Sequence, residues 1–120
     1  MTVLLVSFGY KFGVPTDVDM VLDALPAQPV LRRAAHPHRR RSGGRGLRPR
    51  ARWARTFLAL TEQLLDFALP LYRREGRTYF TLAVGCTGGR HRSVALVERL
   101  AQTRARAGLT VQVRHRDVRR

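Results

Sequence analysis

Acidic residues and cysteine are scarce in this chain. Its 120 residues contain eight Asp or Glu against 23 Lys or Arg, and a single cysteine. One cysteine excludes an intramolecular disulfide framework, which favours a reducing, cytoplasmic location. The apolar run over residues 1–7 lacks a basic leader and is too short for a secretion signal or a membrane span. We therefore predict a single domain over residues 1–120, with a modest core and no membrane partner.

The net charge of +15 is concentrated in the middle of the chain, where no acid occurs between Asp23 and Glu62. Ten arginines fall in that interval: Arg32, Arg33, Arg39, Arg40, Arg41, Arg45, Arg48, Arg50, Arg52 and Arg55. Subtracting their ten charges from fifteen leaves +5 for the rest, which is an ordinary basic value. Net charge alone is therefore weak evidence for a nucleic-acid partner.

Residues 24–53 differ in composition from both of their flanks. They contain four prolines, a Ser-Gly-Gly run at positions 42–44 and nine arginines, with neither helical nor strand periodicity. Such a stretch buries too little apolar surface to offset the entropy lost on ordering. We predict that residues 24–53 are disordered.

The flanking segments alternate between strand and helix patterns. Continuous or alternating apolar runs predict strands over residues 3–8, 78–84 and 109–113. Capping residues and helical spacing predict helices over residues 17–25, with Thr16 as cap, 55–76 and 92–107. The order βα(loop)αβαβ implies helical crossovers, so we predict a small layered α/β domain with a mainly parallel sheet.

Three polar motifs follow the predicted strands. They are Gly9-Tyr-Lys11, Gly85-Cys-Thr87 and His115-Arg-Asp117. In open α/β sheets the ligand crevice lies at the carboxyl ends of the strands. We therefore expect these motifs to converge on a ligand site.

The middle motif opens a loop with the features of an anion site. Gly85, Gly88 and Gly89 allow positive φ and close approach of the backbone to a ligand. The following helix points free N–H groups and its positive dipole end at the loop, beside charged side chains. We predict a non-catalytic site for a phosphate or similar oxyanion. Its predicted residues are Lys11, Cys86, Thr87, Gly88, Gly89, Arg90, His91, Arg92, Ser93 and His115.

The same loop leaves two alternatives open. Cys86 and Arg92 have the Cys-x5-Arg-Ser spacing with which cysteine phosphatases attack phosphorus through a thiolate. Gly85 stands where those enzymes usually carry histidine, and no general-acid loop can be assigned. The other alternative is a tight strand-to-helix turn around an inert, buried cysteine. We expect binding rather than turnover, with no catalytic residue, no metal and no cofactor.

Four segments of the chain carry a family resemblance: residues 6–23, 64–76, 81–94 and 115–117. The string from Gly85 to Ser93, Gly-Cys-Thr-Gly-Gly-Arg-His-Arg-Ser, is highly specific. The chain resembles the C-terminal domain of the RapZ/YvcJ family of bacterial RNase adapters and nucleotide-binding proteins. The resemblance implies an α/β domain related to phosphofructokinase-like sheets, with an anion or sugar-phosphate site. In characterised relatives this domain binds small regulatory RNA and presents it to an endonuclease.

The resemblance implies RNA or a sugar-phosphate as ligand and an endoribonuclease as partner, and it leaves homo-oligomer formation open. The sequence contains no Gly-x4-Gly-Lys-[Ser/Thr] motif, so we expect no Walker-type ATP or GTP site in it.

The chain also departs from the family pattern after Asp23. Ala24-Leu-Pro-Ala-Gln-Pro29 stands where the family has a Val-Arg-Phe-Leu-Pro-Asn-Pro type segment. We hypothesise that residues 24–53 are an out-of-frame translation of GC-rich coding sequence. That change would remove part of the family's pocket, which keeps an inactive fragment as a further alternative.

Overall fold

The computed structural model of the chain describes residues 1–24 and 43–119. In these ranges four strands and two α-helices follow one another: β1 (Thr2–Gly9), β2 (Met20–Asp23), α1 (Gly43–Arg74), β3 (Tyr79–Cys86), α2 (Arg92–Arg106) and β4 (Thr110–His115). A 3-10 turn over Tyr10–Phe12 follows β1 directly.

The strands form one sheet in the order β2-β3-β1-β4, and all of the described pairings are parallel. Thr2 pairs with Tyr79 of β3 on one side and with Thr110 of β4 on the other. This register places Gly9 beside Cys86 and Ser7 beside His115. The predicted α/β class and mainly parallel sheet are confirmed, and the strand ends do meet at one edge.

The two faces of the sheet are covered unequally. Both helices pack on one face, where the main core combines strand residues such as Leu5, Phe80 and Leu82 with Leu65 of α1 and Leu100 of α2. We call this side the helix-covered face. The opposite side, the open face, carries a smaller cluster: Val6, Phe8 and Ala83, with Leu4 and Val18 packed against it. The connection over residues 10–19 runs back across this open face from the end of β1 to the start of β2.

Helix α2 begins at the carboxyl edge of the sheet because it follows strand β3, which ends there, and it leads to β4 on the far side of β1. Near its other end Arg104 is almost fully buried and binds two acids of α1. Its guanidinium lies 2.7 Å from Asp66 and also pairs with Glu62. The ion pairs of Arg104 with Glu62 and Asp66 hold α2 against α1, which keeps the start of α2 at the carboxyl ends of the strands.

The predicted helix over residues 17–25 is wrong, because the structure has strand β2 there. The Asp19 carboxylate accepts the Thr81 N–H at 2.8 Å and pairs with Arg77. Met20 and Leu22 face the main core while Val21 is exposed, which is the alternation of a strand. Contacts with β3 therefore override the local helix signal of Thr16 and the aspartates.

Helix α1 begins at Gly43, within the segment that we predicted to be disordered. From Gly43 onward the structure differs from that prediction, because arginine and alanine are good helix formers despite the glycines and Pro49. Residues 25–42 of the predicted segment lie outside the described residues, and the out-of-frame hypothesis stays a prediction. No helix in the described part of the chain is both long and apolar enough to cross a membrane.

Candidate anion site at the carboxyl edge of the sheet

The loop over residues 85–93, which we call the glycine loop, presses its backbone against the end of β1. A Cβ atom added to Gly9 would lie 2.4 Å from the carbonyl carbon of Gly88. One added to Gly89 would lie 2.5 Å from the Gly9 nitrogen, and Gly89 also has a φ of +77°. Real Cβ contacts are not that short, so only glycine fits at these two positions. The close approach sets the shape of the loop.

The three glycines of the loop have different roles, which the sequence alone did not separate. Of Gly85, Gly88 and Gly89, only Gly89 has positive φ, so the conformational freedom that glycine allows at all three positions is used at Gly89. Gly85 is needed for space, because its Cβ would lie 2.4 Å from Cζ of the Phe8 ring. A Cβ on Gly88 would meet nothing within 4 Å.

Asp117 supports the loop from the side of β4. It is fully buried, and its carboxylate accepts the Gly9 N–H at 2.8 Å. Arg116 donates to the same carboxylate at 2.7 Å and to the Gly13 carbonyl at 2.6 Å. The sequence places Asp117 in a strand-end motif, but no pattern in the sequence assigns it to the site. Its burial gives no local sequence signal, because it depends on the packed loop: a Cβ added to Gly89 would lie 2.9 Å from Cβ of Asp117.

Cys86 lies on the inner side of the loop, where only 6% of it is exposed. Its Sγ lies 3.2 Å from Ser93 Oγ, and Ser93 is itself buried. Burial raises the pKa of the Cys86 thiol, but Ser93 Oγ and the N–H groups of Ser93, Gly89 and His91 stabilise the thiolate more strongly. The net effect lowers the pKa below its ordinary value. The inner side of the loop thus favours negative charge on the sulfur.

The outer side of the loop carries exposed positive charge. The side chains of Arg90, His91 and Arg92 are exposed where α2 begins. His91 makes no capping hydrogen bond with its side chain, and the first turn of α2 contains no acid. The positive end of the helix dipole is therefore reinforced rather than neutralised by Arg90 and Arg92. Among the described residues, no three His, Cys, Asp or Glu side chains group as metal ligands.

Lys11 and Thr87 extend this outer side. Both are exposed, and the Lys11 N–H donates to the Thr87 carbonyl at 3.2 Å. The hydrogen bond holds the turn after β1 beside the glycine loop. The Lys11 side chain itself lies over the Phe12 ring, with Nζ 5.5 Å from its centroid.

His115 reaches the same edge but is engaged on both ring nitrogens. Nδ1 lies 2.7 Å from Ser7 Oγ, and Nε2 lies 2.7 Å from the Glu98 carboxylate. The ring therefore joins β1 to α2 through β4. Ser7, fully buried, is a further residue that sequence reasoning missed, since a lone serine in an apolar strand gives no signal.

The predicted site residues thus divide into two sets. The outer side of the loop has Lys11, Thr87, Arg90, His91 and Arg92 exposed, with Gly88 half-buried. The inner side has Cys86, Gly89 and Ser93 buried, and His115 half-buried. The structure brings both sets to one edge of the sheet, but only the outer set is open to a ligand.

Known proteins match this chain over nearly all of its length. The family model described as the RapZ C-terminal domain matches residues 1–119. A nucleotide-binding protein of Geobacter metallireducens is 44% identical over 127 aligned positions, which cover 98% of this chain and 42% of the relative. One from Anaeromyxobacter sp. (strain K) is 45% identical, with 97% and 40% covered.

A third similar protein, the nucleotide-binding protein of Sorangium cellulosum, is 41% identical over 100% of this chain and 35% of its own length. The chain spans less than half of each of these relatives. The family resemblance found in the glycine loop and in the strand-end motifs is therefore confirmed along the chain, which belongs to the RapZ C-terminal domain family.

Proposed function

We propose that this chain is a non-catalytic, anion-binding domain of the RNase-adapter type. The outer side of its glycine loop would hold a phosphate of RNA or of a sugar-phosphate. One observation carries the proposal: Arg90, His91 and Arg92 are all exposed at a helix start that has no acid and no capping side chain. The names of the relatives, which call them nucleotide-binding proteins, agree with a phosphate-bearing ligand.

The outer and inner residues of the glycine loop would have different roles in binding the anion. The N–H groups of Ser93, Gly89 and His91 lower the pKa of Cys86 by stabilising its thiolate, so the anion would be met mainly by the arginine side chains and the helix dipole. Thr87 would supply a hydroxyl, and Lys11 would supply charge from the end of β1. Ser93 and His115 would hold the geometry from the inner side.

A charge-matched pair of double variants tests this site. Arg90→Ala with Arg92→Ala removes two charges from the loop, while Arg99→Ala with Arg106→Ala removes two exposed charges elsewhere on α2. Binding of a fluorescein-labelled single-stranded RNA would be followed by anisotropy at several salt concentrations. We expect the loop variant to lose at least about tenfold in affinity and the control to lose much less.

Equal losses of RNA affinity in the two double variants would show that RNA responds only to the overall positive charge of the domain. That result would contradict a specific site at the glycine loop. A complex insensitive to salt would contradict an RNA-phosphate role. Thermal shift with glucose 6-phosphate and with inorganic phosphate covers the other ligand class, since a ligand bound only by the folded state raises Tm.

The lowered pKa of Cys86 favours one second candidate, a cysteine-dependent phosphatase. The burial of Cys86 argues against it, because the thiol lies under the loop rather than at its surface. An aryl-phosphate assay on the wild type and on Cys86→Ser separates the two functions. Turnover that the substitution abolishes would replace the binding proposal.

A further inference from the structure

The open face of the sheet carries a groove that no helix of the described chain covers. Its volume is about 610 Å³, within the range of small-ligand sites. The side chains that matter for its chemistry are Leu4, Val6, Asp17, Thr81, Arg114 and Arg116.

The strand register fixes how the floor of the groove is arranged. Val6 of β1 is paired with Arg114 of β4, and Leu4 of β1 is paired with Thr81 of β3. The centre of the floor is therefore apolar, with a guanidinium on one side and a hydroxyl on the other. Residues 14–18 of the connection after β1 form the wall above it.

These groups suit a flat, partly polar ring. An apolar floor accepts the face of a ring, and an arginine guanidinium stacks on nucleobases. The Asp17 carboxylate on the wall can accept hydrogen bonds from ring amino groups. Asp17 and Arg114 are both exposed, so both side chains can contact a ligand without a rearrangement of the fold.

The groove and the glycine loop share one support. Arg116 lines the groove and also binds Asp117, whose carboxylate holds the Gly9 N–H against the loop. Along β1 the distance from Val6 to Gly9 is about 10 Å, at roughly 3.3 Å per residue. The floor of the groove is thus separated from the end of β1, against which the loop packs, by a span of about one or two nucleotides.

We propose that the groove takes an unpaired base of an RNA whose phosphates meet the glycine loop. This inference rests on the proposed function and narrows its ligand to single-stranded RNA. The charge of the loop would bind phosphates of any sequence, in single-stranded or double-stranded RNA. The groove would favour single-stranded RNA, because only an unstacked base can enter it.

The test compares single-stranded RNA with a duplex of the same sequence. Arg114→Ala removes the stacking partner in the groove, and Arg106→Ala removes one exposed charge at the far end of α2. We expect Arg114→Ala to lower the affinity for the single strand at least about fivefold while the duplex affinity changes much less. Arg106→Ala should leave the ratio of the two affinities unchanged. Thermal melts confirm that both variants are folded.

Crosslinking gives a second readout. A 4-thiouridine-substituted oligoribonucleotide is irradiated on the wild-type protein, and the attached peptides are mapped by mass spectrometry. Crosslinks within residues 14–18 support the groove. Crosslinks confined to residues 86–93 overturn the groove and leave the proposed function standing.

The remaining outcomes separate the two proposals. Equal loss of single-strand and duplex binding in Arg114→Ala overturns the groove alone. Full RNA binding in the Arg90→Ala, Arg92→Ala protein, with loss in Arg114→Ala, overturns the loop function and with it the proposed link between loop and groove. A changed molar mass of Arg114→Ala in light scattering, with unchanged strand preference, would make the groove a contact between copies and overturn its RNA role.

Discussion

The inner and outer sides of the glycine loop follow different physical rules. On the inner side Gly89, Ser93 and Asp117 are buried and packed against Gly9, with close contacts and satisfied polar groups. On the outer side Arg90 and Arg92 are exposed at the start of a helix. The inner side sets the shape of the loop and the outer side presents its charge. Substitutions on the two sides should therefore change different quantities.

The largest effect is expected for Gly9→Ala. The new methyl group would lie 2.4 Å from the Gly88 carbonyl carbon, and neither the end of β1 nor the glycine loop can move away without a large cost in free energy. We expect a loss of about 3 kcal/mol in the free energy of unfolding, measured by urea denaturation. Gly88→Ala is the matched control, because its Cβ would meet nothing within 4 Å and should change stability little. Similar losses in the two variants would mean that the loop does not pack on β1 as described.

Asp117→Ala should have the next largest effect. It leaves the buried Gly9 N–H without its carboxylate acceptor and removes the partner of Arg116. An unsatisfied buried donor costs about 2 kcal/mol, to be read from the same urea titration. Asp117→Asn keeps an acceptor oxygen for the Gly9 N–H, so its free energy of unfolding should fall by less than that of Asp117→Ala. If Asn and Ala are equally destabilising, charge pairing with Arg116 rather than the Gly9 hydrogen bond is what stabilises this corner.

The sequence was sufficient for strands β1, β3 and β4 and for their parallel pairing. The apolar runs of β1 and β3 and the polar residues that follow them are local signals, and parallel pairing brings their ends together. Strand β2 was not predictable in this way, because its four residues pair only through a register set by β3. The separate roles of Gly88 and Gly89 depend on the contact with Gly9, which lies about eighty residues away in the chain.

Cys86 should give the inner side a pH-dependent stability of smaller size. Its pKa is lowered in the folded state, below about 8.5 in the unfolded chain. Between these two values the unfolded state binds more protons, so stability rises with pH and is lost as pH falls through the folded pKa. In urea titrations from pH 6 to 9, the free energy of unfolding of the wild type should rise relative to that of Cys86→Ser as the pH increases. A difference that stays flat over this range would mean that the loop amides do not stabilise a thiolate.

The smallest expected effect, and the one with the most specific sign, is on the outer side. Arg92 opens α2, where its positive charge opposes the helix dipole. Arg92→Glu should therefore raise the free energy of unfolding, by about 0.5 kcal/mol at low salt, while weakening RNA binding. Arg106→Glu, in the last turn of the same helix, should lower stability by a similar amount and leave the loop intact. If Arg92→Glu destabilises the protein instead, Arg92 has a structural role, and the separation between a shape-setting inner side and a binding outer side fails at that residue.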